Sequence, residues 1–277
     1  LRVTIGVVTH SKPGILALLD QHGLRLSRAL GQNFVVDPNT VRRIARMADV
    51  GEGDEVVEVG AGLGSLTLAL AETGATVTAI ELDKRIAPVL ASIVEPKGVV
   101  VIQGDALEVD WAEIAPGPTT LVANLPYNVG THIITKVLDE VPNVTRLVVM
   151  VQKEVARRLA ATVGSPDYGS LSVKIRYHAD AKILGTVPPT VFVPKPDVDS
   201  AIVELTRLGA PRVDSDFAHL FALVHKAFGK RRKMLRSSLG NSISPQAYER
   251  AAISSTMRPE ELDVVDWARL LEAQEAQ

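Results

Sequence analysis

Cysteine is absent from the 277 residues. That excludes structural disulfides, thiolate zinc sites and iron–sulfur clusters, and with the clusters the radical chemistry that depends on them. The six histidines include no HExxH-like pair, so a histidine-built metal centre is not expected either. No apolar run approaches the length that crosses a bilayer. The N-terminal stretch LRVTIGVVTHSKPGILALL is broken by Ser11, Lys12, Pro13 and Gly14 and lacks a signal-peptide core, so the expectation is a cytoplasmic protein with no membrane partner. There is no internal repeat and no low-complexity segment. What is present is a hydrophobic fraction of 46%, ample for one large domain and a small one. The formal net charge of -2 says little, because the distribution of charge matters more than its sum.

From Val50 onward short β-branched runs alternate with helical ones. EVVEVG, TVTAIELD, GVVVIQGD, TTLVANLP and RLVVMVQ read as strands, separated by SLTLALAETG, KRIAPVLASIV and VGTHIITKVLDEV. This alternation predicts a parallel sheet with crossover helices, an α/β fold. Val99 to Ile102 is apolar on both faces, as a doubly covered sheet requires. After KILGTV and SAIVELTRL the strands cease, and Gly209, Ala210 and Pro211 read as a linker. Phe217, Leu220, Phe221, Val224 and Phe228 then fall on one helical face. The expected division is a sheet domain over residues 1–208 and a small all-helical domain over 209–277.

EVGAGLGSLT sits where the first strand of this pattern meets its helix, with glycines at 60, 62 and 64. Bare backbone there lets a ligand approach closely. The dinucleotide pattern would need a glycine at 65, where Ser65 stands, and this weakens an NAD reading. Glu81 ends the second strand, where an acidic side chain can accept hydrogen bonds from both ribose hydroxyls of an adenosyl ligand. Asp105 closes the third, placed to meet an adenine amine. ANLPYN follows the fourth. Pro126 has no N–H to offer a central ladder, and Asn124 and Tyr127 beside it suggest a polar acceptor and an aromatic plate facing a crevice.

Taken together, LGQNFVVDPN (30–39), VEVGAGLGSLT (57–67), ANLPYN (123–128), VFVPKPDVDSA (191–201) and GKRRKMLRSSL (229–239) resemble the bacterial small-subunit ribosomal RNA adenine N6,N6-dimethyltransferases. The match runs from about Leu30 to the end with its motifs in family order. Residues 1–24 extend beyond it and receive no role. The resemblance implies a Rossmann-like class I methyltransferase using S-adenosyl-L-methionine, with no metal. Asn33 and the backbone around Val35 would hold the methionine end of the cofactor, and Gly60 and Gly62 would line its binding turn. Glu81 would take the ribose and Asp105 the adenine, with Asn124 between cofactor and substrate. Val35 stands where the family usually has leucine, a change that backbone contact survives. The implied substrate is 16S rRNA in the small ribosomal subunit or its precursor, dimethylated at two adjacent adenosines near its 3′ end by a monomeric enzyme.

The N6 amine of adenine is a poor nucleophile because its lone pair is delocalised into the ring. Two acceptors, the Asn124 side-chain oxygen and the Leu125 carbonyl, would localise it for in-line attack. The protein's task is then to position and polarise. Tyr127 is expected to stack on the target base. Phe192, near the prolines at 194 and 196, is expected to supply an opposing plate.

Between Phe217 and Tyr248 there is no acidic residue, while Lys226, Lys230, Arg231, Arg232, Lys233 and Arg236 cluster around Phe228. Such asymmetry is the footprint expected of phosphate binding, and Arg157 and Arg158 would extend it. The 209–277 segment is therefore expected to bind RNA. Two other classes stay open: a DNA adenine N6-methyltransferase, whose motif more often carries two prolines before the tyrosine, and a non-catalytic nucleic-acid-binding assembly factor.

Overall fold

A computed structural model describes residues 10–25 and 31–276; Leu30, the first residue of one quoted motif, lies outside them. Among the described residues the strands are β1 (Phe34–Val35), β2 (Glu55–Val59), β3 (Thr76–Glu81), β4 (Val100–Gln103), β5 (Thr119–Asn124), β6 (Val144–Gln152), β7 (Ala179–Val187), β8 (Phe192–Val193) and β9 (Ser200–Arg207). Seven form one sheet in the order β4-β3-β2-β5-β6-β9-β7, and β1 and β8 form a separate antiparallel pair. Strands β4, β3, β2, β5 and β6 are mutually parallel, and β9 returns antiparallel to β6. The chain enters mid-sheet at β2, winds outward to β4, then crosses back to β5. The order reverses between β2 and β5, and a reversal of this kind opens a crevice at the carboxyl ends of the strands. Its depth is set by the ladder, whose β2–β5 register runs only from Glu55↔Thr119 to Val57↔Leu121.

The helices that frame the crevice form for local reasons. In α1 (Lys12–Gln21), Ile15 and Leu19 are buried in a cluster with Val36, Leu63, Ile86 and Val89. Residues 1–24, read from the sequence as an extension without a role, thus contain a helix that packs against Leu63 of the glycine turn; residues 1–9 lie outside the described residues. α2 (Pro38–Ala48) starts on Asp37, whose carboxylate accepts from the backbone N–H groups of Asn39 and Thr40, with Pro38 in the first turn, where its missing N–H costs nothing. α3 (Ser65–Ala71) leaves the glycine turn. There Gly62 has φ +59°, and a Cβ on it would stand 2.6 Å from the Phe34 ring. A side chain at 62 would therefore be both strained and obstructed. α4 (Ala87–Val94), α5 (Trp111–Ile114) and α6 (Gly130–Glu140) complete the crossovers.

Contacts divide the chain into two compact units, residues 1–156 with 182–206, and residues 157–181 with 207–277. The second holds α8 (Ser170–His178), α9 (Phe217–Phe228), α10 (Leu235–Leu239), α11 (Pro245–Arg250) and α12 (Val264–Glu275), with α7 (Lys153–Leu159) straddling the join. The 208/209 boundary read from the sequence therefore assigns one segment to the wrong body. Tyr168, Val173 and Tyr177 belong to the same core cluster as Leu220, Phe221 and Trp267, so residues 157–181 belong with the helices that follow the sheet. Among the described residues no helix is long and apolar enough to cross a membrane.

Candidate active site

Four segments converge at the crevice: residues 31–34 before and within β1, the glycine turn after β2, the end of β3, and residues 124–129 after β5. They line a narrow cavity of about 100 Å³. Glu81, the last residue of β3, is buried at 6% exposure. One of its carboxylate oxygens accepts from the Gly62 N–H at 2.7 Å, the other from the Asp83 N–H at 2.8 Å. Burial pushes this carboxyl above the usual range while the two N–H groups pull it back. Asp83 has the opposite fate, because the Arg85 guanidinium holds its carboxyl down to about 2. Its Oδ2 also accepts from Gln32 Nε2 at 3.1 Å, so the 31–33 segment is tied to the end of β3.

Asn124 closes β5, and the ladder to β6 runs one residue further, with Leu125 N–H donating to the Met150 carbonyl at 3.1 Å. Pro126 ends it. The Pro126 carbonyl then accepts from Val129 and Gly130, turning the chain into α6. The Asn124 Nδ2 donates to the Asn33 carbonyl at 3.0 Å. A carbonyl must be met by an N–H, so this bond fixes the amide's orientation and leaves Oδ1 as the group that accepts. Tyr127 is half-buried, and its hydroxyl meets the Ser200 hydroxyl at 2.6 Å. Tyr127 borders both the narrow cavity and a second, open cleft of about 490 Å³, whose far wall includes Gln152 and residues 194–198.

A third recess, of about 30 Å³, lies deeper, where β2 and β5 part; Val35, Glu58, Ser65 and Asn124 line it. Glu58 is 1% exposed. Its Oε2, the Ser65 Oγ and the Thr67 Oγ1 are buried without hydrogen-bond partners. Burial pushes the Glu58 carboxyl up to about 8; the Thr67 hydroxyl works against that, and Glu81 adds to it. The sequence held a signal for this residue, a charge inside the apolar run EVVEV that a fully covered strand has no reason to carry.

Asn33, Gly60, Gly62, Glu81, Asn124, Leu125 and Tyr127 thus come together around one cavity, with Val35 in the recess beneath it. Asp105 stands next to this group, since Gly104 N–H donates to the Glu81 carbonyl at 3.0 Å. It does not line the cavity, and one of its oxygens accepts from Leu107 N–H at 2.8 Å. Phe192 departs from expectation. It is 2% exposed, sits in a core cluster with Val35, Val122 and Ile202, and lines neither cavity. The reason is the β1–β8 pairing, which sets Phe192 opposite the buried Val35; the proline-flanked segment that faces the cleft begins two residues later, at Pro194.

In the helical unit Lys226, Lys230, Arg232, Lys233 and Arg236 are exposed on and after α9, and the exposed Arg157 and Arg158 belong to the same unit. Arg231 differs from its neighbours. Its guanidinium donates to the Pro166 carbonyl at 2.7 Å and lies 3.9 Å from the Glu260 carboxylate.

A family model described as ribosomal RNA adenine dimethylase matches residues 23–275. A protein of Cutibacterium acnes named ribosomal RNA small subunit methyltransferase A is 46% identical, the match covering 94% of this chain and 92% of that protein. Its namesake from Kineococcus radiotolerans is 47% identical over 91% and 87%. Among solved structures, a 23S rRNA methyltransferase, ErmE, superposes with a TM-score of 0.68 at 26% identity, covering 87% of this chain and 99% of that one. A dimethyladenosine transferase from Plasmodium falciparum shares the fold with a TM-score of 0.73 at 24% identity, covering 84% and 94%.

Proposed function

The chain belongs to the ribosomal RNA adenine dimethylase family, and we propose on that footing that it dimethylates the N6 amines of two adjacent adenosines near the 3′ end of 16S rRNA, using S-adenosyl-L-methionine. The substrate is this RNA in the small ribosomal subunit or its precursor, which ties the reaction to subunit biogenesis. The enzyme acts in the cytoplasm as a monomer. The observation that carries this reading is Asn124, whose amide is locked by the Asn33 carbonyl so that an acceptor oxygen is presented at the crevice between two cavities.

The cofactor, when bound, supplies a methyl group already activated for transfer. The residues present fit it. A buried Glu58 oxygen without a partner, with the Ser65 and Thr67 hydroxyls beside it, suits the ammonium at the methionine end, together with Asn33 and the backbone at Val35. Gly60 and Gly62 offer bare backbone, Glu81 a carboxylate for the ribose, Asp105 one for the adenine. The chain's own work is to hold the base on Tyr127 and to draw the N6 lone pair out of the ring with the Asn124 oxygen and the Leu125 carbonyl.

Labelled cofactor incubated with small-subunit precursors, naked 16S rRNA or duplex DNA tests the proposal. Label recovered from the rRNA as N6,N6-dimethyladenosine is the expected result; label in DNA alone would make this a DNA enzyme, and none anywhere would leave a binding factor.

Glu58 is neutral at pH 7 in the free protein, its pKa being about 8, and an ammonium partner favours the ionised form. Cofactor binding at pH 7 should therefore release about one proton from the wild type and almost none from Glu58→Gln, as read by calorimetry in buffers of different ionisation heat. The same shift acts on stability: because the folded-state pKa lies above the ordinary value near 4.5, its contribution is complete below that value and is lost as pH rises through about 8. Replacing Lys230, Arg232 and Lys233 with alanine should weaken RNA binding and flatten the log-affinity against log-salt slope by roughly 0.7 to 0.9 per lost phosphate contact. Arg231→Ala should instead lower the melting temperature, since that side chain is spent on Pro166 and Glu260. An unchanged slope in the triple variant would reduce the basic run to a solvated face.

A further inference from the structure

The open cleft beside Tyr127 contains three side-chain amides, and two of them are committed. Gln32 Nε2 donates to Asp83, and Asn33 Nδ2 donates to the Gly31 carbonyl at 3.1 Å. The third, Gln152, is half-buried and makes no side-chain hydrogen bond among the described residues. Lys195 and Asp197, on the same cleft, are exposed at its rim. Gln152 is therefore the planar donor–acceptor group left open toward the cleft's interior.

Its position relative to the tyrosine is fixed by strand pairing. Gln152 is the last residue of β6 and Ser200 the first of β9, and they are register partners in the antiparallel ladder. Directly opposed residues in such a ladder project from the same face with Cβ atoms about 4.5 to 5.5 Å apart. Ser200, at 0% exposure, is the residue that holds the Tyr127 hydroxyl at 2.6 Å. The ladder end is itself clamped, because Lys153 donates its backbone N–H to the Asp199 carbonyl and pairs its ammonium with the Asp199 carboxylate, both at 3.0 Å. One pair of strands thus carries both the anchor of the aromatic plate and an open amide beside it, and a base lying on the tyrosine ring would have an edge next to Gln152.

We propose that Gln152 reads the target base, its amide N–H donating to N1 or N7 of adenine, the ring nitrogens on either side of the N6 amine. This deepens the function proposed above and rests on it. Glutamine is suited to adenine because its amide can face a ring acceptor and an amine donor together. Donation to the ring nitrogen is the part of that contact open to Gln152, since Asn124 and Leu125 take the two N6 hydrogens before the first transfer and one of them takes the hydrogen that remains before the second. Gln152 fixes the rotation of the base in its plane, so that N6 and no other edge meets the methyl donor.

The test is single-turnover methylation at saturating cofactor, with RNAs carrying adenosine, 7-deazaadenosine or 1-deazaadenosine at the target positions. Wild type, Gln152→Ala and Gln152→Glu are compared, with cofactor affinity as a check that each variant is folded. Against adenosine, both variants should lose about ten- to a hundredfold, the glutamate included because it has no N–H to donate. In the wild type one of the two analogues should lose a comparable factor, and that loss should vanish in Gln152→Ala, the non-additivity expected of two partners in one contact. Losses that multiply for both analogues, or an alanine variant within threefold of wild type, would overturn the assignment while leaving the methyltransferase reading intact. A wild-type chain inactive on every adenosine RNA would overturn both.

Discussion

Asn124→Ala is expected to slow methyl transfer by about a hundredfold to a thousandfold in single turnover at saturating cofactor and RNA, the scale of deleting one preorganised hydrogen-bonding group. The loss falls on the chemical step because an acceptor that matters most as N6 pyramidalises contributes to the transition state more than to ground-state binding. The structure adds a sharper arm. Asn124 Nδ2 donates to the Asn33 carbonyl, so Asn124→Asp would keep an acceptor oxygen yet set a second oxygen against that carbonyl. The aspartate should therefore be nearly as slow as the alanine, although it conserves shape. Cofactor affinity should fall less than the rate in both. Near-normal transfer by Asn124→Ala would return this segment to the status of an ordinary turn.

Glu81→Ala should weaken S-adenosyl-L-methionine binding by tenfold at least and on the order of a hundredfold if both ribose hydroxyls depend on it, since hydrogen bonds to charged groups contribute about 1.5 to 3 kcal/mol. Two effects add here. The ligand loses its acceptor, and the Gly62 and Asp83 N–H groups that now meet the carboxylate lose theirs, loosening the turn that the cofactor must lie on. Glu81→Gln should fall between, because one amide oxygen can still accept while the NH₂ faces a backbone donor. Calorimetry on variants with wild-type circular dichroism checks this, and unchanged affinity for the alanine would remove Glu81 from the cofactor site.

The parallel sheet, the glycine turn and the acidic strand ends were readable in the sequence because each is written locally, as an apolar run, a break or a charge at a fixed offset. Asn124 was readable for the same reason, at the end of an apolar run stopped by proline. The failures share a different cause. Phe192 looks exposed in a segment rich in proline, yet it is buried by pairing with Val35, a partner far away in sequence. Residues 157–181 look like a continuation of the sheet domain, yet Tyr168 and Tyr177 share a core with Phe221. Arg231 is indistinguishable from Arg232 until its bond to the Pro166 carbonyl is seen. Gln152 and Ser200 carry no local mark at all, since their importance lies in being opposite one another. Glu58 is the exception, a residue whose anomaly was local and visible.

The pairing of β6 with β9 also decides what kind of genetic change this corner of the crevice can absorb. Side chains alternate faces along a strand with a period of two, so a one-residue slip sends every one of them to the other side. Substitutions along these strands act one position at a time and their damage stays where they fall. A single codon inserted between Ser200 and the buried residues that follow it would be different in kind, because holding Ala201, Ile202, Val203 and Leu205 in the core would push Ser200 out of register with Gln152 and away from Tyr127. The exposed residues 209–211 carry no such phase. Length variation within the lineage should therefore gather in that stretch and be purged from the strands, whose contribution to the site is a matter of counting as much as of chemistry.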